Sequence, residues 1–456
     1  MNMILISIAA FIVGIGILVL VHEWGHYIVA RMLGVKVLKF SIGFGKPLWS
    51  RTAGPDNTEY CISAIPLGGF VKLLDEREAQ VEHFERNRSF NRQPIASRLA
   101  ILAAGPAMNF LFAILAYWMM FVSGVPGLQP IVGDVEPASI AGKAGFSAED
   151  RIVAMGGAPV STWEGASIAL LDAMLADPRV SVEVVTAEGE RRLLYLDIQD
   201  KVAELTEPGR LFSGMGLTVW RPDFPPVIGE ITADGAAHAA GFEVGDRITA
   251  ANGDRIVDWT AWVNFIQPRS GELVNVNIER GSQNLMLAMT IGQRIEADGS
   301  VIGFIGSAPQ VPDDFYLAYE AEQRYGLFRA LPAAIERTWS MSLLTVRMVA
   351  RMVTGDVSVK NISGPIMIAQ YAGYSASIGM VSFLSFMAVV SLSLGILNLL
   401  PIPILDGGQI VYQLLEAIKG RPLSERAQLV GQQIGFVFLI LIMSFAFYND
   451  LNRFFS

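Results

Sequence analysis

Four stretches of the chain are apolar and almost free of charge over at least the roughly 20 residues that a helix needs to cross a bilayer. They cover about residues 3–24, 99–123, 376–400 and 427–448. This pattern predicts a polytopic α-helical membrane protein with four transmembrane helices. The first stretch lacks the basic start and the cleavage pattern of a signal peptide, so we interpret it as a retained membrane helix.

Basic residues are concentrated between the first two predicted spans. Residues 31–98 hold eleven Lys and Arg residues, and Lys419 and Arg421 follow the third span. Because cytoplasmic loops carry an excess of Lys and Arg, residues 31–98 are predicted to be cytoplasmic. Residues 124–375 should then lie on the opposite side of the membrane.

The segment between the second and third spans contains an internal repeat. Each copy carries Ala-Gly-Phe followed by Asp-Arg-Ile, and glycines that mark turns between short strands recur at one constant offset. These glycines are Gly133 and Gly229, Gly145 and Gly241, and Gly157 and Gly253. Two inserted β-rich domains are therefore predicted, at residues 127–220 and 222–309.

The repeated unit resembles a PDZ domain of the bacterial, circularly permuted kind. Such domains add an extended peptide, often a C-terminus, to a sheet edge. The resemblance implies peptide-binding loops near residues 214–217 and 302–305. Alternatively, the two PDZ-like domains form a rigid spacer or a size filter that binds no ligand.

Two further segments carry weaker patterns. Residues 59–73 are apolar with β-like composition, and Pro66, Gly68 and Gly69 could reverse a hairpin that either dips into the membrane or lies at the surface. Residues 310–375 have helical spacing and predict amphipathic helices that lie on the membrane or bind a partner. The remaining domains are the two pairs of spans with their loops, residues 1–126 and 376–456.

Composition supports a membrane protein and limits its chemistry. The mean hydropathy is +0.42, and only 17% of the residues are charged. A net charge of −9 provides no basic face, so no nucleic-acid partner is expected. Cys61 is the only cysteine, which excludes an internal disulfide and a cysteine-ligated zinc site.

The candidate chemistry begins at the end of the first span with His22-Glu23-Trp24-Gly25-His26, an H-E-x-x-H motif. Helical positions four residues apart share a face, so His22 and His26 can bind one metal ion with Glu23 beside them. Alternatively, they are helix-end histidines that bond backbone or water. The other two histidines, His83 and His238, are poorly placed to join them.

A catalytic zinc ion takes three protein ligands and keeps a fourth position for water. Asp406 is the candidate third ligand, because it ends an uncharged run that begins at Asn361, where a membrane makes a carboxylate unfavourable. We predict that Gly407 and Gly408 let the backbone approach the metal closely. Both parts of the site fall in the cytoplasmic halves of their spans.

In this site, zinc activates a water molecule, and Glu23 takes its proton and delivers it to the leaving amine. Asn398 lies near Asp406 and can donate a hydrogen bond to the substrate backbone or to the developing oxyanion. Alternatively, Asn398 is an amide that packs the spans together.

These motifs together resemble the site-2 protease family of intramembrane zinc metalloproteases. The resemblance rests on H-E-x-x-H in the first span, on Gly105-Pro106-Ala107-Met108-Asn109 in the second, and on Asn398-x-x-Pro-x-Pro-x-Leu-Asp406-Gly in the third. The tandem PDZ-like insert and the fourth span are similar to the Gram-negative branch of that family.

The resemblance implies a Zn²⁺-dependent endopeptidase of the bacterial inner membrane, with its active site toward the cytoplasm and its PDZ-like domains in the periplasm. Its substrates would be single-span membrane proteins, such as anti-sigma factors and remnant signal peptides, cut within the bilayer after another protease has trimmed them. The PDZ-like domains would reject untrimmed substrates. The implied substrate-binding residues are Ile62, Gly68, Gly69, Phe70, Asn398 and Pro401, with residues 59–73 offering an edge strand.

Two other functions fit part of this pattern. A membrane-anchored PDZ adaptor with inert catalytic motifs would need neither a metal nor Glu23. A transporter would use the buried polar residues as an ion path, but four spans without an inverted repeat argue against it.

Overall fold

The computed structural model describes residues 3–77, 80–199, 201–207, 209–220, 224–295, 301–311 and 319–455. Within these ranges, four helices are long and apolar enough to cross a membrane, which confirms the four predicted spans. They are Met3–Met32, Ile95–Ser123, Met380–Asn398 and Glu425–Arg453.

The N-terminal part consists of two helices and the strands between them. Its elements are α1 (Met3–Met32), β1 (Val37–Ala53), β2 (Thr58–Leu73) and α2 (Ile95–Ser123), with short 3₁₀ helices at Arg86–Arg88 and Phe90–Arg92 before α2. The helices α1 and α2 cross closely, because a Cβ at Gly25 would lie 2.3 Å from the carbonyl oxygen of Ala104. Small residues allow such close packing between membrane helices.

The segment 59–73 differs from the predicted hairpin. Its first part, 59–62, and its last part, 69–73, both pair with residues 37–42 of β1, from opposite sides. The bend between them falls at Gly68, whose φ of 105° favours glycine. The predicted turn is therefore a bend in β2 that wraps the strand around β1, and residues 69–73 become an outer strand of the sheet.

Two β-rich units follow α2, after β3 (Val125–Leu128), and their first seven elements have the same order. The first contains β4 (Val132–Val135), α3 (Ile140–Ala144), β5 (Arg151–Met155), β6 (Ala158–Pro159), α4 (Trp163–Ala176), β7 (Arg179–Val185), β8 (Arg191–Asp197), α5 (Val202–Leu205), a 3₁₀ helix (Ser213–Met215) and β9 (Leu217–Val219). The second contains β10 (Ile228–Ile231), α6 (Ala236–Ala239), β11 (Arg247–Ala251), β12 (Asp254–Arg255), α7 (Trp259–Ile266), β13 (Leu273–Arg280), β14 (Gln283–Thr290), β15 (Gly292–Ile295), β16 (Val301–Phe304) and β17 (Ser307–Pro309).

The two units have matching sheets. The strand order is β6-β5-β7-β8 in the first and β12-β11-β13-β14 in the second, and β4 pairs with β9 as β10 pairs with β17. Their long helices also begin alike, because the side chains of Thr162 and Asp258 each accept a hydrogen bond from the third residue after them. The constant glycine offset in the sequence thus corresponds to a repeated topology.

The C-terminal part returns to helices. It contains β18 (Glu320–Gln323), which pairs with β3, then α8 (Leu327–Thr354), a 3₁₀ helix (Val359–Asn361), α9 (Pro365–Ile378), α10 (Met380–Asn398), α11 (Asp406–Lys419) and α12 (Glu425–Phe455). The predicted amphipathic segment, 310–375, corresponds to α8 and most of α9. Its residues 312–318 lie outside the described part of the chain.

The helix α8 joins the membrane helices to the first β-rich unit. Ala330 and Ala334 are buried in a cluster with residues of α2. Further along α8, Leu344 is buried in a cluster with Leu175 of α4, and Arg347 forms an ion pair with Asp172. The apolar face of this amphipathic helix is therefore covered at least in part by two other elements of the same chain.

A buried carboxylate joins α12 to the start of α9. Asp450, which is 1% exposed, accepts hydrogen bonds from the backbone N–H groups of Gly364, Ile366 and Met367 at 2.8–3.1 Å. These are the unpaired donors at a helix N-terminus, where a negative charge is stabilising. The last span is thus tied to the segment that precedes the third.

The hydrophobic core of the second unit includes the indole of Trp262, which is 1% exposed. We expect Trp262→Ala to destabilise this unit by about 3–5 kcal/mol, because it leaves a large cavity. Proteolysis of this unit in increasing urea would measure the change. The control is Leu273→Ala, at a side chain that is 69% exposed in the same unit, and equal resistance of the two variants would contradict the expectation.

Candidate metal centre

The structure brings together the three predicted metal ligands. His22 and His26 lie one turn apart on α1, and Asp406 is the first residue of α11. The Oδ2 atom of Asp406 lies 3.2 Å from Nε2 of His22 and 3.4 Å from Nε2 of His26, and the two Nε2 atoms are 3.3 Å apart. The three donor atoms form a nearly equilateral triangle.

This triangle fits a tetrahedral zinc ion. With zinc–nitrogen bonds of about 2.0–2.1 Å, neighbouring donors in a tetrahedron are separated by about 3.3 Å. Asp406 Oδ2 is buried and makes no hydrogen bond of normal geometry to the described residues. A proton can bridge only one pair of the three donors at a time, whereas a cation satisfies all three. Two imidazoles and one carboxylate also match the donor set of catalytic zinc.

The Nδ1 atom of each imidazole contacts a polar group of α2. Nδ1 of His26 donates to the carbonyl oxygen of Ile101 at 2.8 Å, and Nδ1 of His22 lies 3.2 Å from the side-chain amide of Asn109. A histidine that binds a metal through Nε2 carries its proton on Nδ1, so the amide oxygen of Asn109 is the matching acceptor. A half-turn of that amide would give this buried oxygen its partner.

The sequence assigned no role to Asn109. The available signal was a polar side chain inside an apolar span, and the structure shows Asn109 fully buried. Its backbone oxygen also accepts a hydrogen bond of 2.9 Å from Ser391 Oγ on α10. Asn109 therefore links the first three spans at the level of the metal ligands.

A glycine outside the predicted pair lies directly against the two histidines. A Cβ at Gly105 would lie 2.3 Å from Nε2 of His26. By contrast, a Cβ at Gly407 or Gly408 would meet the carbonyl oxygens of Leu399 and Ile402, at 2.3 Å and 2.2 Å. These two residues let α11 start directly against the preceding turn, and their role beside the metal stays a prediction.

The centre opens into a cavity of about 1080 Å³ between the spans and the sheet. Its lining includes Glu23, which is 8% exposed, and Asn398 at the end of α10. The predicted residues Gly68, Gly69 and Phe70 line it as well, but Ile62 and Pro401 are absent from its described lining. Exposed His83 and His238 lie in other parts of the chain.

The outer strand of β2 runs along this cavity. Residues 69–73 pair with β1 on one side, and their other edge has no strand partner within the described ranges. A Cβ at Gly69 would lie 3.0 Å from Cγ of Glu23, so the strand passes directly beside this glutamate. The arrangement places an unpaired strand edge next to the metal ligands.

A second buried contact fixes the helix that carries Asp406. Arg98 of α2 is 5% exposed and donates two hydrogen bonds to the carboxylate of Glu416 on α11, at 2.7 Å and 3.1 Å. These bonds lower the pKa of Glu416 and keep it ionised. The sequence did not indicate this pair, because its members lie more than 300 residues apart.

Comparisons with known proteins agree with this site. Residues 10–442 match the model of peptidase family M50. The chain is 40% identical to the regulator of sigma E protease of Salmonella typhi, over 99% of both chains, and 40% identical to the regulator of sigma-E protease RseP of Escherichia coli K12, over 98% of both. It is also 40% identical to a putative zinc metalloprotease of Vibrio cholerae, over 99% of this chain and all of that protein.

Among solved structures, a PDZ domain of an SdrC-like protein from Listeria monocytogenes matches 20% of the chain at 20% identity, with a TM-score of 0.17. This score is too low to assign the fold of the two β-rich units.

We expect Gly105→Ala to lower zinc binding at least tenfold, because the new methyl group would displace the imidazole of His26. Metal analysis of purified protein after dialysis against a weak chelator would measure the loss. Gly16→Ala on α1 is the matched control, since its Cβ would meet no atom within 4 Å. Equal zinc contents in the two variants would contradict the close approach described above.

Proposed function

The chain belongs to peptidase family M50, the site-2 protease type of zinc metalloendopeptidase, and from this premise we propose that it cleaves single-span membrane proteins within or next to their transmembrane segments. The observation that carries the proposal is the triangle of His22, His26 and Asp406, which lies beside Glu23 in a cavity between apolar helices. These three residues are proposed as the zinc ligands.

Glu23 is proposed as the general base. Zinc, when bound, makes a water molecule more acidic and polarises the scissile carbonyl group. The carboxylate of Glu23 adjoins the two histidines in sequence and lines the same cavity, so it can accept a proton from the attacking water. The same carboxyl group then gives that proton to the nitrogen of the leaving amine.

Asn398 and the outer strand of β2 are proposed to position the substrate. A transmembrane helix hides its peptide bonds in internal hydrogen bonds, so the substrate must be extended before it is cut. An extended segment can add to the unpaired edge at residues 69–73, which runs beside Glu23. The Asn398 amide lines the same cavity and can donate a hydrogen bond to the scissile carbonyl oxygen.

The substrate class is inferred from the relatives. Several of them are named regulators of sigma-E protease, so we propose anti-sigma factors and remnant signal peptides as substrates in an inner membrane. The basic loop 31–98 supports a cytoplasmic position for the active site and a periplasmic one for the β-rich units. Intact candidate ligands and the family match weigh against the inert adaptor.

The two β-rich units are proposed to exclude substrates that still carry folded periplasmic domains. The first unit is held against the membrane helices by α8, through the buried Leu344 and the ion pair between Arg347 and Asp172. This attachment supports a fixed position of the first unit near the spans, where it would block a bulky substrate.

We expect Glu23→Gln to abolish cleavage of a reconstituted single-span reporter while zinc stays bound, because the amide cannot accept the proton of the water. Mass spectrometry would map the cut made by the wild type, and metal analysis would measure zinc in each protein. Asp406→Ala serves as the contrasting variant, since it should lose both zinc and cleavage. Cleavage at the wild-type rate by Glu23→Gln would refute the assigned chemistry.

The exclusion proposal predicts a dependence on the size of the periplasmic part of the substrate. A reporter with a short tail should be cut at least tenfold faster than one with a folded domain, and Leu344→Asp with Arg347→Glu should reduce this ratio by loosening the first unit. Rates from purified components would test this. A ratio near one in the wild type would refute the exclusion role without affecting the zinc chemistry.

A further inference from the structure

One face of α12 is polar where the helix passes the cavity. Glu425, Gln428, Leu429 and Gln432 line the cavity, and their spacing of three and four residues places them on one side of the helix. The opposite side carries exposed apolar residues, as expected for contact with lipid: Val430, Ile434, Val437, Phe438 and Leu441. Polar side chains in a membrane span usually face protein, water or a ligand.

The two glutamines of this face have unused hydrogen-bonding groups. The amide nitrogen of Gln428 donates to the carbonyl oxygen of Leu423 at 3.1 Å, which anchors this side chain and leaves its oxygen as an acceptor. Gln432 makes no hydrogen bond to the described residues. Both lie in the cavity that also contains Glu23, the metal ligands and the outer strand of β2.

An extended substrate in this cavity needs partners on two edges. When it pairs with residues 69–73 of β2, about half of its backbone N–H and C=O groups point to that strand, and the rest point away from it. In a membrane, unpaired backbone groups are strongly unfavourable. Something must therefore satisfy the second edge of the substrate.

We propose that Gln428 and Gln432 bind this second edge of the substrate backbone. A glutamine side chain offers both a donor and an acceptor, so it can pair with a peptide group in the manner of a neighbouring strand. The inference rests on the proposed function and makes the two glutamines positioning residues, which hold the extended segment beside Glu23. It also implies that recognition on this side is largely independent of the substrate's side chains.

The double variant Gln428→Leu with Gln432→Leu keeps the side-chain size and removes the hydrogen bonds. We expect its kcat/KM for a reconstituted single-span reporter to fall roughly tenfold, which corresponds to two ordinary hydrogen bonds. Its zinc content should match that of the wild type. Gln433→Leu is the matched control, because Gln433 neighbours Gln432 but does not line the cavity, and this variant should cleave normally.

Backbone esters in the reporter separate this role from a structural one. An ester removes one N–H, so a scan along the reporter should slow the wild type at alternate positions that face α12 and at the intervening positions that face β2. In the double variant, esters facing α12 should cause no further loss, whereas those facing β2 should remain harmful.

Four outcomes decide the inference. A double variant with unchanged kcat/KM would overturn it, and so would a double variant that keeps the ester effects of the wild type at every position. A wild type that cuts no reporter at all would instead refute the proposed function, together with this inference. The predicted pattern of ester effects would support both.

Discussion

The structure depends on keeping three metal-binding donors together between apolar helices. Two imidazoles and a carboxylate that meet at 3.2–3.4 Å are unfavourable without a cation among them, and the membrane supplies little water to separate them. Much of the local structure serves this constraint. Gly105 lets α2 approach the histidines, Ile101 and Asn109 orient their rings, and the bond between Arg98 and Glu416 fixes the helix that begins with Asp406.

A second constraint concerns the peptide that the site would receive. An intramembrane protease must expose a backbone that a membrane normally requires to be helical. The cavity has polar groups on several walls that can bind such a backbone. They are the strand edge of β2, Asn398 at the end of α10 and the glutamines of α12. These groups offer hydrogen-bond donors and acceptors to an unwound segment. On the proposed function, one cavity would serve both the chemistry and the unwinding of the substrate.

The features that were predictable from the sequence are those that depend on local patterns of residues. Charge-free runs locate the four spans. The i and i+4 spacing of His22 and His26 indicates a metal site, and the isolated Asp406 suggests its third ligand. Periodicity carries no information on which distant segments pack together. The wrapping of β2 around β1, the docking of α8 on two partners and the pairing of Arg98 with Glu416 all depend on such contacts. Gly105 belongs to the Gly105–Asn109 motif, but the sequence does not show why a glycine is needed there. The structure does, because the imidazole rings of His22 and His26 lie directly against it.

The candidate metal ligands come from α1 and α11, near opposite ends of the chain, with both β-rich units between them. Proteins are synthesised from the N-terminus, so a growing chain inserts its two histidines long before the aspartate is made. Throughout that time it holds an incomplete centre and has no competent active site. On the proposed function, the chain therefore cannot cut neighbouring membrane spans, or its own first helices, until nearly all of it has been assembled.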